Sequence, residues 1–420
     1  MTSAPTVVMY SPDSIGLGHV RRHALIASEL VAQVPSVNVV MLIGCGAGAF
    51  FELPSGVDSI KIPSVQKTGK DSWRARSLGL SSEDTRRIRS GLIRESLDSL
   101  KPDLFLVDHL PAGIWGELVP AFQHLKAHSP QTKIVLGLRD ILDEPEHVRQ
   151  RWQSDKTYDL IREYYDSIFI YGDETIYPSA QHYGLGFRIC DDVHYLGYIG
   201  PKSDRLNGAA QHAPRLSQEP GPRRTPGAKL MLVMAGGGYD AYPMMSSVMQ
   251  GLIALDSATR PDAVFITGPL MPHELRAQLV EQSSGIDATI VPWTCNVKDY
   301  LDAANLVVTM GGYNSLLETV TSGKPTINIP RSGPSQEQTI RARLFNELGF
   351  VSYLPLEHAK PQRMAAAIEE NLSKCPRSGQ PLPVDGASRT ARRIKALLKG
   401  SRHVWAESTV AGEAIPHAVA

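Results

Sequence analysis

The sequence predicts an α/β protein made of two doubly wound, Rossmann-like domains that face a central cleft, and three observations lead to this prediction. Short apolar runs rich in β-branched residues alternate with helical patterns in both halves of the chain, as in parallel sheets covered by helices. Three of these runs end in glycines that lead directly into a helix. The chain has 420 residues, which is more than one core usually accommodates.

The predicted elements divide the chain into an N-terminal domain (1–200), a Pro/Gly-rich linker or insertion (201–228), a C-terminal domain (229–399) and a loose tail (400–420). The helical pattern at 387–399 is expected to close the second domain. The strands predicted in the first domain span residues 7–10, 37–43, 58–62, 104–107, 134–138, 167–171 and 193–196. Those predicted in the second domain span residues 230–234, 263–267, 288–291, 306–309, 326–329 and 351–353.

Composition narrows the classes of function. Lys plus Arg and Asp plus Glu number 43 each, so the long-range attraction that nucleic-acid binding usually needs is missing. The four cysteines are far apart and include no Cys-x-x-Cys pair, which indicates reduced thiols rather than a zinc site or a disulfide framework. The sequence begins without a signal-peptide pattern and has no apolar run of bilayer length. We therefore expect a cytoplasmic protein with peripheral membrane association at most.

Three strand-to-helix turns mark the candidate site. They contain Gly16 and Gly18 after the first strand, Gly236, Gly237 and Gly238 after residue 234, and Gly311 and Gly312 after residue 309. Amide N–H groups without a neighbouring Cβ can approach an anion closely, and the following helix directs its positive end at the same point. Neither a P-loop nor a dinucleotide fingerprint is present, because no Gly-Lys-Ser/Thr follows and the first turn lacks a third glycine. The alternative is that the glycines only satisfy turn geometry.

The second half also carries motifs that resemble a known family. They are Val-Pro-Trp at 291–293, Val-Lys-Asp-Tyr-Leu at 297–301, the glycine turn at 310–318, Gly-Lys-Pro at 323–325 and Ser-Gln-Glu-Gln-Thr-Ile-Arg-Ala at 335–342. Together they resemble the donor domain of inverting glycosyltransferases with the two-domain GT-B fold, in particular the lipid II synthase family (family 28) of peptidoglycan synthesis and related predicted glycosyltransferases. The similarity covers residues 229–349. The first half shares mainly Gly-Leu-Gly-His at 16–19.

The resemblance implies a UDP-sugar as donor substrate and no cofactor. It assigns the donor diphosphate to the backbone amides of the turns and to the residues after them, namely Gly236, Gly237, Gly238, Gly312, Asn314 and Ser315. It implies that Glu337 and Gln338 contact the transferred sugar. It also implies that backbone groups of Trp293 and Thr294 bind the uracil edge. The family's Asp-x-x-Gln or His-Lys-Asp pattern is replaced here by Ser-Gln at 335–336, so the identity of the donor sugar stays open.

Glu318 has two interpretations. The resemblance implies that its carboxylate accepts hydrogen bonds from the ribose hydroxyls, which suits two acceptor oxygens facing a vicinal diol. Ser315-Leu316-Leu317-Glu318 is also a capping-box pattern, in which Glu318 would only bind a backbone N–H.

His19 is the candidate catalytic base. An inverting transfer needs a group that takes the proton of the acceptor hydroxyl, and histidine titrates near neutral pH. At a helix start, the positive helix end would keep His19 uncharged. Asp108 ends the strand at 104–107 on the same cleft edge and is the candidate for orienting His19. The alternatives are a histidine that caps its own helix, or a metal bound by His19 and His23. The pair lacks an intervening Glu and a third ligand, so no metal is expected.

Arg139, Asp140 and Asp143 follow the strand at 134–138 and are candidates for the acceptor side, although a surface loop held by an Arg–Asp contact is an equal interpretation. The predicted function is the transfer of a hexose or N-acetylhexosamine from a UDP-sugar to an unidentified acceptor hydroxyl, with inversion. Residues 14–22 also resemble the UDP-sugar hydrolase of pseudaminic acid biosynthesis, in which water replaces the acceptor. A protein that binds a nucleotide sugar without catalysis is the third possibility.

Overall fold

A computed structural model describes residues 4–12, 18–46, 53–69, 72–186, 189–200, 225, 227–294, 296–333, 335–376 and 382–400. Gly16, most of the predicted linker (201–224 and 226) and residues 401–420 of the predicted tail lie outside the described residues. Within the described ranges, no helix is long and apolar enough to cross a membrane.

The first domain contains a seven-stranded parallel sheet. Its strands are β1 (Thr6–Ser11), β2 (Asn38–Ile43), β3 (Val57–Lys61), β6 (Leu104–Asp108), β7 (Lys133–Arg139), β8 (Ser167–Tyr171) and β9 (Val193–Tyr195). They are arranged in the order β3-β2-β1-β6-β7-β8-β9. A separate antiparallel hairpin, β4 (Val65–Lys67) and β5 (Trp73–Ala75), was not predicted.

Helices cover both faces of this sheet. They are α1 (Gly18–Gln33), α2 (Ser82–Leu100), α3 (Val119–His128), α4 (Pro145–Ser154), α5 (Thr157–Tyr164) and α6 (Ser179–His182), with a short 3-10 helix at Ile114–Gly116. Side chains alternate across a strand, so Val7 and Met9 of β1 pack in the core that includes α1. Val8 and Tyr10 pack in the core that includes α2 and α3. The apolar β-branched run of β1 is therefore explained by burial on both faces.

The second domain repeats this plan with a six-stranded parallel sheet. Its strands are β10 (Leu230–Met234), β11 (Asp262–Ile266), β12 (Ala288–Val291), β13 (Leu306–Thr309), β14 (Thr326–Asn328) and β15 (Ser352–Tyr353), in the order β12-β11-β10-β13-β14-β15. Its helices are α7 (Tyr242–Ile253), α8 (His273–Gln282), α9 (Val297–Ala303), α10 (Tyr313–Thr321), α11 (Glu337–Glu347) and α12 (Pro361–Ser373), with a 3-10 helix at Leu356–His358. Every strand predicted in the two halves is present, with ends shifted by at most one residue.

The last helix, α13 (Gly386–Gly400), packs mainly against α1 of the first domain, whereas the sequence assigned it to the second domain. Gln33 at the end of α1 donates from Nε2 to the Ser388 carbonyl at 3.2 Å, and its own carbonyl accepts from Lys395 Nζ at 3.1 Å. The buried stripe of α13 joins the core around α1. The helical pattern predicted a buried face but contained no information about its partner.

The two domains also share an apolar contact next to the cleft. Tyr313 at the start of α10 packs in the core that contains β1 and α1. Its hydroxyl donates to the Tyr171 carbonyl at 2.9 Å and accepts from the Ile199 N–H at 2.9 Å. The start of α10 is therefore anchored on the first domain.

Candidate active site

The predicted catalytic residues meet at the carboxyl end of the first sheet. His19 lies in the first turn of α1, and Asp108 is the last residue of β6. His19 Nδ1 lies 2.8 Å from Asp108 Oδ2. Arg22, one turn further along α1, donates from Nη2 to both oxygens of Asp108 at 2.7 and 3.1 Å. Asp108 is fully buried and Arg22 almost so, so each needs the other in the low-dielectric interior.

These contacts fix the tautomer of His19. Burial raises the pKa of the Asp108 carboxyl, but the charge of Arg22 and the contact with His19 more than offset this effect and hold that pKa well below its usual range. An ionised carboxylate can only accept hydrogen bonds, so His19 Nδ1 carries the proton and donates it to Asp108. Arg22 Nη2 lies 3.1 Å from the same nitrogen, where two donors make a contact and not a hydrogen bond. The lone pair of His19 Nε2 is left to accept a proton.

His19 is also held uncharged. Burial lowers its pKa below 6.5, and the charge of Asp108 offsets only part of that decrease. The place of His19 at a helix start suggested the positive end of α1 as the cause of such a decrease, whereas burial is the largest cause in the structure. The side chain keeps 14% of its surface exposed, so the ring is not sealed from solvent.

Two other histidines lie near this pair. His23 is fully buried, with Nδ1 2.9 Å from Ser11 Oγ, and burial lowers its pKa to about 4. His109 has a φ of 67° and its ring centroid lies 5.4 Å from that of His19. A side chain in this left-handed region costs on the order of 1 kcal/mol. Among the described residues, no three His, Cys, Asp or Glu side chains are placed to hold a metal ion.

The glycine turns of the second domain lie side by side. Gly236 follows β10 and Gly312 precedes α10 after β13, and these two strands are neighbours in the sheet. A Cβ on Gly236 would lie 3.3 Å from the hydroxyl oxygen of Ser315 in the other turn. Asn314 Nδ2 donates to the Gly18 carbonyl at 3.3 Å. The starts of α10 and α1 therefore meet across the cleft, next to the turn that contains Gly236.

Two of the turn glycines are required by the fold itself. Gly238 has a φ of 85°, and a Cβ there would collide with the carbonyl of Thr267. Gly311 has a φ of 77°, and a Cβ there would lie 2.5 Å from both side-chain amide atoms of Asn328. Asn328 is fully buried, and neither amide atom has a hydrogen-bond partner among the described residues. At these two positions, turn geometry and packing are sufficient reasons for glycine.

Glu318 lies in the second turn of α10 and pairs with Arg21 of the first domain. Its side chain is only 6% exposed, whereas that of Arg21 is 31% exposed. The helix begins after Gly312 and has no side-chain cap, so Ser315 is not an N-cap residue. The capping-box interpretation of Glu318 is therefore wrong.

A second set of charges joins the domains next to His109. Glu337 at the start of α11 accepts from Arg139 Nη1 at 2.7 Å and from Arg341 Nη1 at 2.9 Å. Arg341 also donates to both oxygens of Asp140, at 2.7 and 3.2 Å. Asp140 is fully buried, so it lies in the domain interface and not on an open acceptor surface. The partner of Arg139 is Glu337, and the expected Arg–Asp contact within a surface loop is not formed.

The other predicted donor residues lie along the second domain. The Trp293 side chain is 52% exposed. Thr294 is nearly buried, and its Oγ1 accepts from the Asn296 N–H at 3.0 Å. Gln338 Oε1 accepts from the Arg331 N–H at 3.2 Å. Gln338 therefore holds the chain that follows β14.

Three residues that organise the interface, Arg22, Arg341 and Tyr313, were not predicted from the sequence. Arg22 and Arg341 place their guanidinium groups 5.5 and 5.6 Å from the ring centroid of Tyr313. For Arg341 the available signal was a charged residue between two apolar ones, Ile340 and Ala342, whereas Arg22 lies between Arg21 and His23 and carries no such signal. Asp143 adds a further link, because its Oδ1 accepts from the Gln336 N–H at 2.7 Å.

The architecture defines the class of fold, which is GT-B. The calicheamicin glycosyltransferase CalG4 superposes with a TM-score of 0.57 at 15% identity, covering 94% of this chain and 95% of that one. A putative UDP-N-acetylglucosamine 2-epimerase from Listeria monocytogenes gives 0.60 at 13%, covering 94% and 96%. MurG of Acinetobacter baumannii gives 0.53 at 12%, covering 94% and 99%. These similarities concern the fold alone.

Sequence comparison identifies the second domain more closely. Residues 231–385 match the model of the glycosyltransferase family 28 C-terminal domain, which confirms the predicted resemblance in this half. The UDP-N-acetylglucosamine--N-acetylmuramyl-(pentapeptide) pyrophosphoryl-undecaprenol N-acetylglucosamine transferase of Rhodospirillum rubrum is 26% identical over 174 residues, 41% of this chain and 42% of that protein. The NDP-glycosyltransferase YjiC of Bacillus subtilis is 31% identical over 110 residues, 24% of this chain and 27% of that protein. The match spans less than half the length of either relative.

Proposed function

We propose that the protein is a glycosyltransferase that moves a hexose or N-acetylhexosamine from a UDP-sugar to an acceptor hydroxyl with inversion. The observation that carries the proposal is the contact of His19 Nδ1 with Asp108, which leaves Nε2 of this partly exposed ring as the proton acceptor. The family 28 match of the second domain supports a nucleotide sugar as the donor.

In the proposed reaction, His19 Nε2 accepts the proton of the acceptor hydroxyl while its oxygen attacks the anomeric carbon. The bond from that carbon to the β-phosphate oxygen breaks, and its electron pair leaves with UDP. Asp108 stabilises the imidazolium that forms, as a buried carboxylate does beside a catalytic histidine. Arg22 keeps Asp108 ionised and fixed.

The donor would lie on the second domain (229–399) and the acceptor on the first domain (1–200). The glycine turns would bind the diphosphate through backbone amides and the start of α10. Glu318 would bind the ribose hydroxyls, and the backbone of Trp293 and Thr294 would bind uracil. Glu337 and Gln338 would face the transferred sugar. The acceptor is not specified by any of these residues.

The test is product analysis with a panel of UDP-sugars and candidate acceptors. We expect UDP release that depends on an acceptor, and a glycoside whose anomeric configuration, measured by NMR, is opposite to that of the donor. Release of free sugar and UDP without any acceptor would instead identify a UDP-sugar hydrolase. Tight UDP binding without turnover of any donor would indicate a nucleotide-sugar-binding protein.

A further inference from the structure

The ion pair between Arg21 and Glu318 joins the two domains at the proposed donor site. We propose that Arg21 is a donor-binding residue contributed by the first domain, an inference that rests on the proposed function. When a nucleotide sugar binds, the guanidinium of Arg21 also pairs with the diphosphate, and one carboxylate oxygen of Glu318 binds the ribose.

The helix geometry directs Arg21 toward the diphosphate. The starts of α1 and α10 touch, since Asn314 Nδ2 donates to the Gly18 carbonyl at 3.3 Å. Arg21 lies one turn after Gly18, and Glu318 lies one turn after Asn314. Side chains on a helix lean toward its N-terminus, so both side chains reach back toward the paired helix starts. The backbone amides of the glycine turns, which are the proposed diphosphate ligands, lie at these helix starts.

Of the four interface arginines Arg21, Arg22, Arg139 and Arg341, Arg21 has the most exposed side chain. Arg22 and Arg341 are 1% exposed and Arg139 is 17% exposed. Arg21 is 31% exposed and pairs with the carboxylate of Glu318. A guanidinium has five N–H donors in a planar fork that suits phosphate oxygens. Arg21 can therefore keep one bond to Glu318 and still bind phosphate.

The chemistry gives this cation a second role. When the bond between the anomeric carbon and the phosphate oxygen breaks, the electron pair stays on the UDP oxygen and its negative charge increases. A positive group already in contact with the diphosphate stabilises that charge. It also offsets the repulsion between the diphosphate and the carboxylate of Glu318.

The experiment compares uridine with UDP as calorimetric ligands, because only UDP carries the diphosphate. For Arg21→Gln we expect UDP affinity to fall by roughly 10- to 100-fold, the usual range for a charged hydrogen bond, while uridine affinity stays within about threefold of wild type by the same scale. Arg21→Lys keeps the charge without the fork and should lose less. It serves as the second variant if Arg21→Gln does not fold.

The matched control is Arg393→Gln. Arg393 is 30% exposed, and its carboxylate partner is Asp192. Asp192 directly precedes β9 and so lies at the amino edge of the sheet, away from the candidate site at the carboxyl edge. The Arg393→Gln substitution should leave both affinities unchanged. Wild-type UDP affinity in the Arg21 variants would overturn this inference, and so would an equal loss for uridine and UDP, which would show that Arg21 acts only through Glu318. A wild-type protein that binds neither ligand would overturn the proposed function itself.

Discussion

The two sides of the cleft are built differently. On the first domain, the proposed catalytic pair is satisfied within one domain, because Asp108 contacts His19 and Arg22. On the second domain, the proposed donor site consists of glycine turns and two carboxylates, Glu318 and Glu337, each of which has an arginine partner on the first domain. The difference indicates that the first domain positions its proposed base by itself, whereas the carboxylates of the second domain are neutralised only when the first domain lies against them.

The largest expected effect would separate chemistry from binding. Because His19 is proposed to take a proton in the transition state, His19→Ala should lower kcat by about 10²- to 10⁴-fold, while the UDP affinity stays near wild type. Steady-state kinetics and calorimetry measure the two quantities. His128→Ala, at an exposed position on α3, is the control and should change neither. Near-full turnover, or a loss of UDP affinity together with turnover, would show that His19 is not the base.

The buried link between the domains should matter most for stability. Asp140→Ala leaves Arg341 buried without its main partner, which should lower the free energy of unfolding by about 3–5 kcal/mol. Urea unfolding measures the loss. Asp240→Ala is the control, since Asp240 pairs with Arg331 at 2.8 Å but is 40% exposed, and it should cost no more than about 1 kcal/mol. Equal effects of the two substitutions would refute a structural role for the Asp140 pair.

Substitution of Glu318 tests whether a side chain of the second domain contributes to nucleotide binding. Glu318→Ala should weaken UDP binding by about 1.5–3 kcal/mol if the carboxylate holds the ribose. Uridine should lose a similar amount, which distinguishes Glu318 from Arg21. Calorimetry with both ligands measures this. Unchanged affinity for both would leave Glu318 as only a partner of Arg21.

The sequence predicted the sheets well because strand patterns are local. The run at 230–234 is apolar and ends in glycines, so β10 could be located without its neighbours. The candidate base was also predictable, since His19 directly follows a glycine turn. The position of Asp108 beside His19 was predictable from its place at a strand end.

Partners across the domain interface were not predictable. Arg341 and Asp140 are 201 positions apart, and nothing in either local pattern indicates the other. The same holds for α13, whose apolar stripe predicts burial but not against which domain. Asp140 was expected on the acceptor side because a strand end suggests a ligand, whereas the approach of α11 buried it.

The smallest effect concerns pH and sharpens the assignment of the base. His19 must be uncharged to accept a proton, so the rate should rise with pH through the His19 pKa and then level off. Burial lowers that pKa below 6.5, so the inflection should lie below 6.5, with a loss of about tenfold for each pH unit beneath it. The profile of kcat measures this between about pH 5 and 8, where His23, with a pKa of about 4, stays uncharged. Asp108→Asn removes the charge that raises the His19 pKa, so it should move the inflection to still lower pH. An inflection above 6.5, or a flat profile, would exclude His19 as the group that titrates.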